Sequence, residues 1–205
     1  MLDLMGARAS AGAAVLIPVK AFAAAKGRLS PVLDADARAA LAERMATRVL
    51  AAAAPLPATV VCDDEGVAAW ARDCGASVVW SPGRGLNRAV ADGVDWLATQ
   101  GTTRVVVAHA DLPLAEGLAD LAGGRGVTLV PDRRDDGTNV AVVPVGAGFR
   151  FSYGVGSFAR HLAETARLGL ALTVVRRPDL TWDVDLPADL AYTEPEPLRT
   201  GAGGP

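Results

Sequence analysis

The twenty basic residues of this 205-residue chain include only two lysines, Lys20 and Lys26, and both fall within "PVKAFAAAKGRLS" (residues 18–30), with Arg28 just behind them. An apolar, β-compatible run, "AAVLIPV", leads into this stretch, and small residues separate the two ammonium groups. In an open α/β sheet, the loop leaving the carboxyl end of a strand is where ligands bind. Positive groups there point to an anionic ligand, which lysine meets as a compact, mobile point charge. Acids stand at comparable boundaries: Asp111 after "TRVVVAHA", Asp183 and Asp185 in "WDVDLPADL", and Glu65 in "CDDEG". One or two such carboxylates, completed by phosphate oxygens and water, hold Mg²⁺ for phosphoryl or nucleotidyl transfer. The competing reading is a helix N-cap, since Asp before Leu-Pro sets a capping oxygen ahead of a proline suited to a first turn.

Two further stretches could meet an anion. In "RRDDGTNVAVV", Asp136 and Gly137 form a turn that presents the Thr138 hydroxyl and nearby backbone N–H groups, although a plain hairpin turn accounts for the same residues. In "YGVGSFARH", Gly154 and Gly156 precede Ser157 and a helix, which permits close backbone approach to a carboxylate or phosphate at the helix's positive end. His161 follows Ser157 by four residues and shares its helix face, where it can contact substrate. His109 shares a strand face with Asp111 and reads first as a structural hydrogen-bonder. Neither a dinucleotide fingerprint nor a Walker sequence is present, which argues against a dinucleotide-dependent dehydrogenase.

These residues need a scaffold, and the length suits one domain whose 51% hydrophobic residues can fill a core. Asp34 can cap a helix reaching about Ala54, with Leu41, Met45 and Val49 on one face. "ATVVC", "ASVVW", "TRVVVAHA", "GVTLVPD", "NVAVVPV" and "LALTVVR" read as further strands. Between them, "GVAAWARDC", residues 87–100 and "SFARHLAETARLG" read as helices, with Gly169 as a stop. This alternation predicts an α/β fold: a single three-layer, Rossmann-like domain over residues 11–192, with a mainly parallel mixed sheet containing one antiparallel strand late in the order. Residues 1–10 and 193–205 combine Gly, Pro and charge without periodicity and are expected to be mobile. A net charge of −3 argues against general binding to nucleic acid or a membrane surface. Cys62 and Cys74 lack metal-ligand spacing and are expected as buried or half-buried free thiols. Neither a secretory signal nor a membrane span is evident, so a cytoplasmic location is expected.

Taken in order, "IPVKAFAAAKGRLS", "GLNRAV", "ADLP", "DGTN", "YGVGSFARH" and "DVDLPADL" resemble the guanylyltransferases that make the phospholactyl or enolpyruvyl nucleotide precursor of coenzyme F-420. The resemblance spans residues 16–190. It implies a Rossmann-like nucleotidyltransferase that moves GMP from GTP to phosphoenolpyruvate or 2-phospho-L-lactate, with release of pyrophosphate. It also implies that Lys20, Lys26 and Arg28 gather around the triphosphate, and that Gly85, Leu86 and Asn87 lie against the guanine. By the same resemblance Asp111 and Asp185 hold Mg²⁺, while Asp183 and Glu65 complete a second ion site. Thr138, Gly154, Gly156, Ser157 and His161 would grip the acceptor's carboxylate and phosphate. A nucleotidyltransferase of another specificity, and a nucleotide-binding regulator without turnover, are the competing functional readings.

Overall fold

The computed structural model describes residues 12–192; both expected mobile ends lie outside these residues. Seven strands form one mixed sheet in the order β3-β2-β1-β4-β6-β5-β7. Strand β1 (Ala13–Pro18) is flanked in parallel by β2 (Ala58–Cys62) and β4 (Arg104–Ala108), and β3 (Ser77–Trp80) extends the β2 side. Strand β6 (Thr138–Pro144) runs antiparallel between β4 and β5 (Val127–Pro131), and β7 (Leu172–Val174) lies parallel to β5 at the far edge. The expected single antiparallel strand is therefore β6. Apolar runs such as "RVVVA" and "VTLVP" are buried along their whole length, as strands covered on both faces by helices must be. Strand β7 is shorter than its apolar run because it pairs only with β5, over three residues.

Helices α1 (Ala35–Ala52), α2 (Glu65–Asp73) and α5 (Pro178–Thr181) cover one face, where Val49, Ala52, Val67, Ala71 and Leu180 pack on Val15, Ile17, Val60, Val106 and Val142. Helices α3 (Gly85–Thr99) and α4 (Ser157–Arg167) cover the other, through Val90, Leu97 and Phe158 against Leu16, Val61, Val107, Leu129 and Ala141. The strand residues alternate between the two cores, as a period of two requires. Asp34 caps α1 as expected, its Oδ1 accepting from the Ala37 N–H at 2.8 Å. Helix α3 begins two residues before the expected Asn87, which brings Gly85 and Leu86 into its first turn. Among the described residues no helix is long and apolar enough to cross a membrane. Cys62 is buried and unpaired as expected, but Cys74 is exposed, because it follows the last turn of α2 on the solvent side.

Helix α3 lies close to the central strand because Gly93 faces it. A Cβ there would stand 2.7 Å from Leu16 Cδ1 and Cδ2, and Leu16 is fully buried. Gly93→Val should lower unfolding stability by about 2 kcal/mol from overpacking, outweighing roughly half a kcal/mol of better helix propensity. A urea titration would read this as a lower midpoint at an unchanged slope.

Candidate active site

The parallel strands end on one edge of the sheet, and the order of strands reverses between the parallel neighbours β1 and β4, the position where such folds bind ligands. A cavity of about 430 Å³ opens there. Its wall includes Lys20 and Lys26 from the segment after β1, His109 and Asp111 from the segment after β4, Leu86 from α3, and Gly154 and Asp185 from later loops. An apolar cluster of Leu29, Leu41, Met45 and Val184 seats two of these loops on α1, so Lys26 and Asp185 approach from opposite ends of the chain onto one support.

Charge organises the cavity. Lys26 Nζ donates to Asp111 Oδ2 at 2.7 Å and to Asp185 Oδ1 at 3.4 Å, and Arg28 reaches Asp185 Oδ2 at 3.4 Å. Burial works against the Lys26 charge, but Asp111 and then Asp185 outweigh it, and the ammonium's pKa lies above its ordinary value. Burial likewise opposes the Asp111 carboxylate, whose pKa is nevertheless held below normal, chiefly by Lys26. Asp183 has no such cation: burial, followed by repulsion from Asp111 and Asp185, pushes it up to about 6. Neither Asp111 nor Asp185 accepts a capping bond from a helix N–H; their carboxylates face Lys26 and Arg28 instead.

A residue the sequence reading missed builds the second of these loops. Asp189, almost fully buried, accepts from the backbone N–H groups of Asp185 and Leu186 at 2.8 Å each and pairs with Arg133. Arg133 also donates to the Asp183 carbonyl and lies 4.1 Å from the Trp182 ring centroid. The available signal was "DLPADL", whose second Asp has the offset of a side chain bonding back to its own loop.

Gly85 and Leu86 border a smaller space with Lys20, Asp63 and Ser81, beside the main cavity. Asn87 has a different task from the one expected. Its Oδ1 accepts from the Tyr153 N–H at 2.6 Å and its Nδ2 donates to the Tyr153 carbonyl at 3.5 Å, so its amide is used in tying the glycine loop to α3. Glu65 is exposed in the first turn of α2 and does not line the cavity, while its neighbour Asp64 caps that helix. The second ion site implied for Asp183 and Glu65 is thus not assembled.

On the acceptor side, Gly154 reaches the cavity wall, but Thr138, Ser157 and His161 are buried beneath it. The Ser152 N–H donates to His161 Nε2 at 2.9 Å, and a backbone N–H can only donate, so the neutral ring carries its proton on Nδ1. That nitrogen lies 3.0 Å from Thr138 Oγ1, and the Thr138 N–H donates to Ser157 Oγ at 2.9 Å. Both hydroxyls accept from the protein, and their own protons remain to be donated. His161 therefore supports this network and does not touch the cavity. The Gly156 N–H, expected to hold an anion, donates to both Asp136 oxygens at 3.1 Å. The positive end of α4 is served by a carboxylate of the chain itself.

Burial, with a smaller contribution from Arg160, lowers the His161 pKa to about 4. The unfolded chain then takes up this proton first, so the group's stability contribution is complete above pH 6.5 and is lost as pH falls through 6.5 towards 4. The loss should be on the order of 3 kcal/mol. Urea titrations at several pH values in this window should show that steep component in the unaltered protein and its removal in His161→Gln.

A family model described as "Guanylyl transferase CofC like" matches residues 13–193. The phosphoenolpyruvate guanylyltransferase of Rubrobacter xylanophilus is 36% identical over 188 residues, covering 87% of this chain and 92% of that protein. The phosphoenolpyruvate guanylyltransferase of Conexibacter woesei is 38% identical over 188 residues, covering 85% and 84%. Among solved structures, a nucleotidyl transferase from Methanothermobacter superposes with a TM-score of 0.62 at 16% identity, over 87% of this chain and 94% of that one, a likeness of fold. With a match across nearly all of the sheet and both carboxylate loops, the chain belongs to the CofC-like guanylyl transferase family.

Proposed function

We propose that this protein transfers a guanylyl group from GTP to phosphoenolpyruvate, in the route to coenzyme F-420. The observation that carries the reading is the convergence of Lys20, Lys26, Asp111 and Asp185 on one cavity at the carboxyl edge of the sheet. The names of its curated relatives support guanylyl transfer to phosphoenolpyruvate. In the reaction, a phosphate oxygen of the acceptor forms a bond to the α-phosphorus of GTP as the α–β anhydride bond breaks and pyrophosphate leaves. An ionised phosphate needs no general base, so the chain's task is positioning and neutralisation.

The donor set fits a divalent cation, with Mg²⁺ the expected ion. Asp111 and Asp185 face one point now shared with an ammonium, and buried Asp111 Oδ1 has no hydrogen-bond partner. No three His, Cys, Asp or Glu side chains among the described residues form a metal-holding group, so substrate oxygens would complete the coordination. Asp111 and Asp185 would hold Mg²⁺ there, and the ion would supply charge neutralisation to the phosphoryl oxygens. Lys20 and Lys26 stabilise charge building on the pyrophosphate, and the exposed Arg28 adds a forked contact. The space beside Gly85 and Leu86 takes the base. Gly154, with the Thr138 and Ser157 donors behind it, orients the acceptor's carboxylate.

Pyrophosphate release should require GTP, Mg²⁺ and phosphoenolpyruvate together, and assays with 2-phospho-L-lactate or 3-phosphoglycerate in its place test the acceptor. Release at the same rate without any acid would overturn the reading. Asp111→Asn and Asp185→Asn should each lower turnover roughly a hundredfold or more, as loss of a charged ligand implies. Melting temperatures within a few degrees of the unaltered protein would show that both variants are folded.

A further inference from the structure

Lys26 is held more tightly than any requirement for phosphate contact explains. Its backbone is left-handed, at φ 56° and ψ 36°, a conformation disfavoured for residues that carry a Cβ. Its side chain is only 10% exposed, with Nζ placed between Asp111 Oδ2 and Asp185 Oδ1. Lys20, on the same cavity wall, is exposed and makes no ion pair among the described residues. The two lysines therefore do different things in the absence of ligand.

An ammonium and a hard dication compete for the same carboxylate oxygens. We infer that Lys26 fills the cation position between Asp111 and Asp185 until a nucleoside triphosphate draws it away, so that nucleotide and divalent metal bind with positive coupling. The inference rests on the proposed metal pair. While Lys26 stays in place it neutralises two acids that would otherwise repel each other across the cavity. Once the triphosphate offers the ammonium other oxygens, the carboxylates are released and a dication replaces it. The loop can make this exchange: Gly27 follows Lys26, with open space around the position of its absent Cβ, and departure from the left-handed region releases backbone strain. By linkage, a bound metal must favour the nucleotide as much as the nucleotide favours the metal.

The test measures Mn²⁺ binding by the free-ion electron paramagnetic resonance signal and by water-proton relaxation, which separates protein-bound from nucleotide-bound ion. It uses the full chain, with and without a non-hydrolysable GTP analogue. Without nucleotide, Lys26→Met and Lys26→Gly should bind Mn²⁺ about tenfold or more tightly than the unaltered protein, and the nucleotide's effect on Mn²⁺ affinity should shrink correspondingly. Lys20→Met removes the same charge from the same cavity and should stay within about threefold of the unaltered protein, as an exposed charge would. Equal affinity in the unaltered and Lys26 variants, or equal tightening by Lys20→Met, would overturn the inference while leaving the metal pair intact. Failure of the metal pair reads differently: Mn²⁺ binding to the nucleotide-loaded protein would then be absent, or unchanged by Asp111→Asn.

Discussion

A single ammonium, Lys26 Nζ, is shared by carboxylates that leave the sheet at β4 and at the far end of the chain. The arrangement of the cavity follows from that sharing. Three acids, Asp111, Asp183 and Asp185, are brought to one edge, and in a partly buried setting their mutual repulsion is only weakly screened. Lys26 neutralises the first and third; the second responds by holding its proton more tightly. Asp189 and Arg133 sit behind the acids and fix the backbone that presents them, so the charge balance is built on a hydrogen-bonded loop and not on flexible side chains alone.

The opposite side of the cavity uses neutral groups. His161, Thr138 and Ser157 form a chain of donors and acceptors whose direction is set by one backbone N–H, that of Ser152. In a buried network of this kind each unsatisfied member is costly, and the Thr138 and Ser157 hydroxyl protons are the members still to be donated. Asn87 anchors Tyr153 from α3, which links the position of the glycine loop to that of the small space bordered by Gly85 and Leu86. The charged half and the neutral half of the cavity are thus joined through the sheet and through α3.

Much of the scaffold was legible because period-two apolar runs and capping residues act locally. Asp34 predicts the start of α1, and "RVVVA" and "VTLVP" announce strands covered on both faces. The lysines and the DLP acids were legible by residue type at strand ends. What local pattern could not give was direction and competition for partners. Ser157 and His161 share a helix face, as spacing predicts, but that face is buried. Asn87 and the Gly156 N–H have the right chemistry for a ligand, yet Tyr153 and Asp136 reach them first. Glu65 stands beside a strand end and still points away, because Asp64 takes the capping position.

The bond between Lys26 and Asp185 spans 159 residues of chain. Contacts of such separation cost loop-closure entropy before they return any energy, and topologies rich in them fold slowly. During synthesis the Lys26 loop emerges early, while its carboxylate partner Asp185, in the loop after α5, arrives only when nearly all of the sheet and its helices have been made. Until then the lysines have no assembled pocket to serve. Synthesis of the loop that carries Asp185 is therefore the step that completes the charge arrangement, and a product ending soon after Asp111 would keep only the Lys26–Asp111 pair.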